Sequence, residues 1–495
     1  MTPATAAIPH AELAPPGGPA TRGGSPVVRR AGGVGAPVRD ARLGPIREKV
    51  LAGERLSIDE GMVLYETPDI WGVCEMADAV RRRLHGDVTY YNINRHLNYS
   101  NVCALSCKFC DFYAKKDDAD AYTRDLDYIR AEARKAIDNG ATEMHIVGGL
   151  QPYLPFSYYT DMLSAIREIA REAGSDIHLK AFTAVEIVHL AKIAKVWKNE
   201  DRKAGIRWVL QQLKDAGLGS LPGGGAEVFD DRVHDEAFKG KIRSDAWLDV
   251  HRVAHELGIN SNATMLYGHI EDRRERLVHM DMLRRAQDES LARLGYQASS
   301  HQGIKASSEE AEPITLTRPG TPLPEHIVFG SPSHRLTVSQ SQSDAAAASQ
   351  SSTRCLDGSM PGCLPGYFQT IIPLPFFPDN SELEHLPGPA GLENLRTLAI
   401  ARLMLDNFPH VKAFWIMQTL GMAQLMLQSG ADDIDGTVVW YDITKVGGAS
   451  THQEVSVWTL QKAIREAGFV PVERDTVYRR VERNAADGKT WRVTS

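Results

Sequence analysis

From Val88 onward the chain repeats one unit: a short apolar run, a turn residue, then a longer stretch with helical spacing. The apolar runs are VTYYNINRHLNYSN, EMHIVGG (Glu143–Gly149), DIHLKAFT (Asp176–Thr183), Leu218–Leu221, INSNATMLYG (Ile259–Gly268), GYFQTIIPLPF (Gly366–Phe376), VKAFWIM (Val411–Met417) and a short strand near Gly436–Trp440. Helical patterns separate them, among them Asp125–Asn139, Phe156–Ala173, Ser244–Leu257, Gly391–Asn407 and Glu454–Ala467. Strands that alternate with helices cannot close as hairpins. They run parallel, and the crossover helices cover the sheet. The number of units is near eight, which predicts an α/β fold of the (β/α)8 TIM-barrel type, with a partial, six-unit barrel as the alternative.

Chemistry in such barrels gathers past the C-terminal ends of the strands. Six stretches fall there: the loop Asn101–Ala114, Gly148–Gly149, Thr183–Glu186, Gly223–Glu227, Tyr267–His269 and Pro375–Phe377. The flanking regions read differently. Residues 1–44 are rich in Ala, Pro and Gly and predict a disordered tail. Residues 45–86 predict a helical region in which LSIDEGMVLYE carries a capped helix start. The barrel is expected over 87–480 and a C-terminal tail over 481–495. The stretch 295–365, with SQSQSDAAAASQSST and RPGTPLPEH, is expected as a disordered insertion in one βα connection.

The first loop holds the chemistry. Cys103, Cys107 and Cys110 place half of the six cysteines of the chain within eight residues. Thiolates this close can converge on a soft metal centre. A structural zinc site takes four protein ligands, and a four-iron cluster is normally closed by four thiolates. Three thiolates on such a cluster leave one iron open to a substrate or cofactor. A zinc knuckle, or a zinc-binding interaction protein with a disordered loop, is the competing reading. A net charge of −7 points away from nucleic acid. No apolar run is long enough to span a bilayer, and the N-terminus has no compact apolar signal region. Few cysteines, clustered as ligands, fit a reducing cytoplasm.

The C-x3-C-x2-C spacing, with Phe109 before the last cysteine, resembles the radical S-adenosylmethionine superfamily. The strings YNINRHLNYSNVCALSCKFCDFYA, HIVGGLQPYLPFSYY, HLKAFTAVEI, LPGGGAEVF, NATMLYGHIE, LDNFPHVKAFWIM, GADDIDGTVV and PVERDTVY resemble the aminofutalosine synthase family of the futalosine route to menaquinone. PGGGAE together with YGHIE favours that family over its relatives, the cyclic dehypoxanthinylfutalosine synthases and the deazaflavin-cofactor enzymes. The insertion is foreign to the family pattern, and KVGGAST (Lys445–Thr451) matches it loosely.

The resemblance implies a [4Fe-4S] cluster on Cys103, Cys107 and Cys110, with S-adenosylmethionine as co-substrate. It implies addition of a 5′-deoxyadenosyl radical to 3-[(1-carboxyvinyl)oxy]benzoate, and an electron donor such as flavodoxin or ferredoxin. By the same resemblance Phe109 helps to seat the adenine, and Gly148 and Gly149 meet the amino group of S-adenosylmethionine. A substrate with two carboxylates calls for cations or backbone N–H groups. Lys180, Arg95 and His269 are the candidates, and the glycines at 223–225 offer a backbone cradle. Glu186 and Glu227, at strand ends, are placed to bind ribose hydroxyls or to accept a proton. His145, in mid-strand, reads as an interior histidine.

Overall fold

The strand that enters the cysteine loop is broken in two, β1 (Val88–Asn92) and β2 (Asn94–Asn98). It is followed by β3 (Glu143–Val147), β4 (His178–Ala181), β5 (Ser220–Leu221), β6 (Asn260–Tyr267), β7 (Phe368–Pro375), β8 (His410–Val411) and β9 (Asp433–Gly436). In the computed structural model, which describes residues 39–295, 364–437 and 454–494, β2 to β8 form one parallel sheet in sequence order. Beyond β8, Lys412 bridges Asp433 in parallel, and β9 pairs with β1 in parallel. The staves β1/β2 and β3 to β9 therefore complete the eight-membered (β/α)8 ring. The β8–β9 joint is its thinnest part. The break at Ile93 lets one strand serve two neighbours, β9 through its first half and β3 through its second.

The apolar run Val411–Met417 is extended only at its start. Ala413 N–H donates to the Asp433 carbonyl at 2.8 Å, and the chain then turns into the short helix Trp415–Gln418. The Trp415 indole N–H donates to the Gly436 carbonyl and fixes that turn. Outside the ring, β10 (Val470–Glu473) adds to β1 in parallel, and β11 (Arg480–Arg483) pairs with β12 (Trp491–Thr494) in an antiparallel hairpin. The expected C-terminal tail thus holds regular structure through Thr494.

Three helices precede the barrel: Leu43–Ala52, Ile58–Glu66 and Ile70–His85. The second opens with a capping box. Ser57 Oγ accepts from Glu60 N–H at 3.2 Å, and Glu60 Oε2 accepts from Ser57 N–H at 2.8 Å. Ser57→Ala is expected to lower stability by about 1 kcal/mol, read from the denaturant midpoint at unchanged slope. The helices pack on Arg273–Arg293 and Gly391–Met404, two of the crossover helices.

The Ser-rich insertion needs a correction in position. It leaves after the helix Arg273–Arg293 and returns just before β7, so it belongs to an αβ connection and not to a βα one. Its ends lie at the N-terminal face of the barrel, opposite the cysteine loop. The insertion itself, with Cys355 and Cys363, the expected tail up to residue 38 and the loop Lys445–Thr451 lie outside the described residues.

A buried charge network ties that N-terminal face together. Asp432 pairs with Arg402 and His410 and accepts Val411 N–H at 2.8 Å. His85 stacks on His410 and meets the Pro409 carbonyl at 2.8 Å. Burial lowers the His85 pKa to about 3, so the ring is neutral.

Candidate active site at the C-terminal ends of the strands

The cysteine loop is held by backbone bonds to its neighbours and not by packing alone. Cys103 N–H donates to the Ala114 carbonyl, Ala104 N–H to Leu150, and Lys108 N–H to Ala237. Cys110 N–H closes a turn on the Cys107 carbonyl at 3.0 Å. Cys103 Sγ accepts from the N–H groups of Leu105 and Leu150, both at 3.4 Å. All three thiols line one cavity of about 330 Å³ inside the upper half of the barrel. They are free and partly exposed. Burial pushes the Cys107 thiol up to about 11 and raises Cys110 as well, so metal loading there must release protons.

A structural zinc site takes four protein ligands. Among the described residues the three cysteines line the cavity with no fourth beside them.

Gly148 and Gly149 end β3 directly against this loop. A Cβ on Gly149 would stand 2.4 Å from the Val102 carbonyl oxygen and 3.0 Å from that of Asn101. One on Gly148 would stand 2.7 Å from the Tyr99 ring. Both glycines line the cavity, and their backbone conformation is ordinary. The need is for close approach, not for a left-handed turn. Phe109 packs edge-on against Phe238 with centroids 5.9 Å apart and also faces the cavity.

Glu186 is buried and caps the helix Ala184–Ile193 in a box with Thr183. Its Oε2 accepts from Thr183 N–H at 2.7 Å and from the Thr183 hydroxyl at 2.8 Å. Its Oε1 accepts from the Tyr99 hydroxyl at 2.8 Å and from Gly148 N–H at 3.1 Å. One carboxyl thus ties together the ends of β2, β3 and β4. Burial pushes it up to about 7, against these four donors. A carboxyl whose folded pKa exceeds its unfolded value contributes stability in acid, lost as pH rises from about 4.5 through about 7. Between pH 5 and pH 8, wild type is therefore expected to lose stability relative to Glu186→Gln by on the order of 3 kcal/mol. Denaturant unfolding across that range checks it, and parallel pH curves for the two proteins would count against the assignment.

Three lysines line the cavity, two of them buried and Lys241 half-buried, each beside a carboxylate. Lys180 Nζ meets Glu143 at 2.8 Å, Lys412 Nζ meets Asp435 at 2.7 Å, and Lys241 pairs with Glu227. Lys241 also lies 5.2 Å from the Phe109 ring centroid. Inside the ring His96 and His145 sit with centroids 4.5 Å apart. Burial lowers the His96 pKa to about 4 and holds His145 well below the usual range. Glu227 (φ 48) and Asp435 (φ 72) are non-glycine residues in the left-handed region, a strain that strand ends at functional sites carry.

Not every expected residue arrives here. His269 lies outside the cavity. Its Nε2 meets the Leu266 carbonyl at 3.1 Å, and its backbone N–H donates to Glu271. The turn after β6 folds the ring back on its own strand. Arg95 is spent on Glu132 of the crossover helix Leu126–Asp138. Lys241, Lys412, Glu143 and Asp435 were not expected. Lys412 had a signal, because Lys412-Ala413-Phe414 repeats Lys180-Ala181-Phe182.

The radical SAM superfamily profile matches residues 97–283, and that of the CofH/MqnC C-terminal region matches 365–486. An aminodeoxyfutalosine synthase of Thermus thermophilus is 36% identical over 90% of this chain and 97% of its own length. The chain belongs to the aminodeoxyfutalosine synthase family of radical SAM enzymes. The Streptomyces coelicolor aminodeoxyfutalosine synthase is 34% identical over 88% of this chain and 92% of its own. A 5-amino-6-(D-ribitylamino)uracil–L-tyrosine 4-hydroxyphenyl transferase of Methanopyrus kandleri is 30% identical over 86% and 94%. Among solved structures, methylornithine synthase superposes with a TM-score of 0.57 at 12% identity, covering 86% of this chain and 96% of that one. The hydrogenase maturase HydG of Carboxydothermus hydrogenoformans does so at 0.56 and 14%, covering 88% and 80%. These two share the fold.

As a member of this family the chain uses a [4Fe-4S] cluster and S-adenosylmethionine. The cysteine triad, its spacing and the open cavity beside it fit that pair, and the zinc reading is set aside. No helix among the described residues is long and apolar enough to cross a membrane.

Proposed function

We propose that the enzyme joins the 5′-deoxyadenosyl group of S-adenosylmethionine to the enolpyruvyl carbon of 3-[(1-carboxyvinyl)oxy]benzoate. The adduct rearranges onto the ring and loses its side-chain carboxylate as CO2 or bicarbonate with return of one electron, giving 6-amino-6-deoxyfutalosine and methionine for menaquinone synthesis. The observation that carries this reading is the near full-length likeness to the Thermus thermophilus enzyme, with the cysteine triad opening into the strand-end cavity.

When bound, the cluster supplies one electron for reductive cleavage of the sulfonium. The protein's own part is to hold and to shield. The glycines at the end of β3 bring that strand against the cysteine loop, which leaves room for a ligand backbone-close to the triad. Phe109 offers an apolar face at the mouth, suited to a purine. Glu186 fixes the Tyr99–Gly148 wall, Lys180 and Lys412 offer cations to substrate carboxylates, and the Glu227–Lys241 pair lines the cavity beside Phe109. Leu266, Ile372, Leu374 and Phe376 make the apolar side that keeps water from a radical. A flavodoxin or ferredoxin supplies the electron.

The test is an anaerobic turnover of reconstituted protein with dithionite, S-adenosylmethionine and the enolpyruvyl benzoate, read by mass spectrometry. A product carrying adenosyl plus substrate less carbon dioxide is expected. Free 5′-deoxyadenosine with unchanged benzoate would sink this substrate while keeping the radical chemistry.

A further inference from the structure

His96, His145 and Lys180 stand in one row of the barrel. His96 on β2 is in register with His145 on β3, and His145 with Lys180 on β4. The row lies below the strand ends that carry the cysteine loop and the glycine pair. Lys412, just past β8, and Asp435 on β9 complete this deeper layer, and Glu143 on β3 pairs with Lys180. Among the described residues the charges of this floor balance. Two lysines are matched by Glu143 and Asp435, and the nearby Arg474 is matched by Asp433. The two histidines beside these pairs are held neutral by burial.

A flat substrate of this kind has two ends. Its double bond must face the cysteine triad at the mouth, so the ring carboxylate points the other way, toward the floor. Placing an anion in a neutral, water-poor layer is costly unless charge arrives with it. Among the described residues, the charged side chains that act most strongly on the histidines are Glu143, Lys180, Lys412 and Asp435, two of each sign.

We propose that the layer formed by Lys180, Lys412 and the His96–His145 pair binds the ring carboxylate, the one the reaction keeps, with uptake of one proton onto the histidine pair. The inference rests on the substrate proposed above. It assigns each end of that substrate to a depth in the barrel. The deep end takes a carboxylate as an ion shared by two lysines, each of which keeps its protein partner. The proton makes the layer neutral again once it is filled.

The experiment is titration calorimetry on cluster-loaded protein at pH 7.5, without reductant, in two buffers of different ionisation enthalpy. The ligands are the enolpyruvyl benzoate and 3-hydroxybenzoate, which carries only the ring carboxylate. Each is expected to bind with about one proton taken up. His96→Gln/His145→Gln is expected to reduce that uptake to near zero. Lys412→Met/Asp435→Asn, which removes a cation without stranding an anion, is expected to weaken both ligands at least about tenfold and to leave S-adenosylmethionine affinity unchanged. Binding without proton uptake in wild type would overturn the proposal, as would unchanged 3-hydroxybenzoate affinity in the lysine variant. Turnover of the same wild-type preparation separates the two levels. Conversion of the benzoate without these signatures sinks the floor assignment alone, whereas neither binding nor conversion sinks the substrate reading with it.

Discussion

Cys107→Ala is expected to yield folded, colourless protein with no turnover. Cys107 packs against the edge of the main apolar core, so a shorter apolar side chain there costs the fold little. Its loss to the cluster is larger. With three thiolates and no fourth cysteine among the described residues, removal leaves two, and two do not hold four irons in place. Iron per chain should fall to near background after reconstitution, the brown absorption should vanish, and activity should drop by about three orders of magnitude or more. Circular dichroism should match wild type. Cys74→Ala is the control, since Cys74 is buried in the helix Ile70–His85 away from the cavity and its loss should leave colour and rate intact. A coloured, active Cys107→Ala protein would falsify the cluster assignment.

Gly149→Ala is the second large effect. The added methyl would meet carbonyl oxygens of Val102 and Asn101, which are backbone and cannot swing aside. The Gly149 N–H also donates to the Ser100 carbonyl at 2.8 Å, so β3 and the entry to the cysteine loop are stitched at this point. To relieve the clash the loop must move away from the strand. The expected cost is about 1–3 kcal/mol of stability, together with a fall of about tenfold or more in S-adenosylmethionine affinity, measured by calorimetry on cluster-loaded protein. The cluster itself should still load, because all three cysteines remain. Wild-type affinity in this variant would show that the glycine serves the packing of β3 on the loop and not the ligand.

The two variants separate what is local from what is assembled. The cysteine spacing lies within eight residues and was legible without a fold, as was the strand–helix rhythm that predicts the barrel. The glycine pair was legible as a strand end. That it presses on the cysteine loop was not, because the contact joins β3 to residues nearly fifty positions earlier. Lys180 was found as a charged residue in an apolar strand, whereas Lys412 escaped even though the same Lys-Ala-Phe triplet surrounds it. The run Val411–Met417 reads as one strand, which hides the turn that aims Lys412 inward. His269 and Arg95 carry suitable chemistry, but local geometry turns one back on its strand, and a helix partner takes the other.

The sequence by itself determined the cysteine spacing, the parallel α/β class and the family, because each rests on short spacings or on a pattern carried along the chain. The tertiary structure decided how the ring closes, through β9 on the first half of the broken strand. It decided that the insertion opens on the face away from the chemistry. It also decided which charges meet inside. Glu143 and Lys180 lie on neighbouring strands and Lys412 and Asp435 across the closing joint, and burial makes such pairs act over distances that the linear chain does not encode.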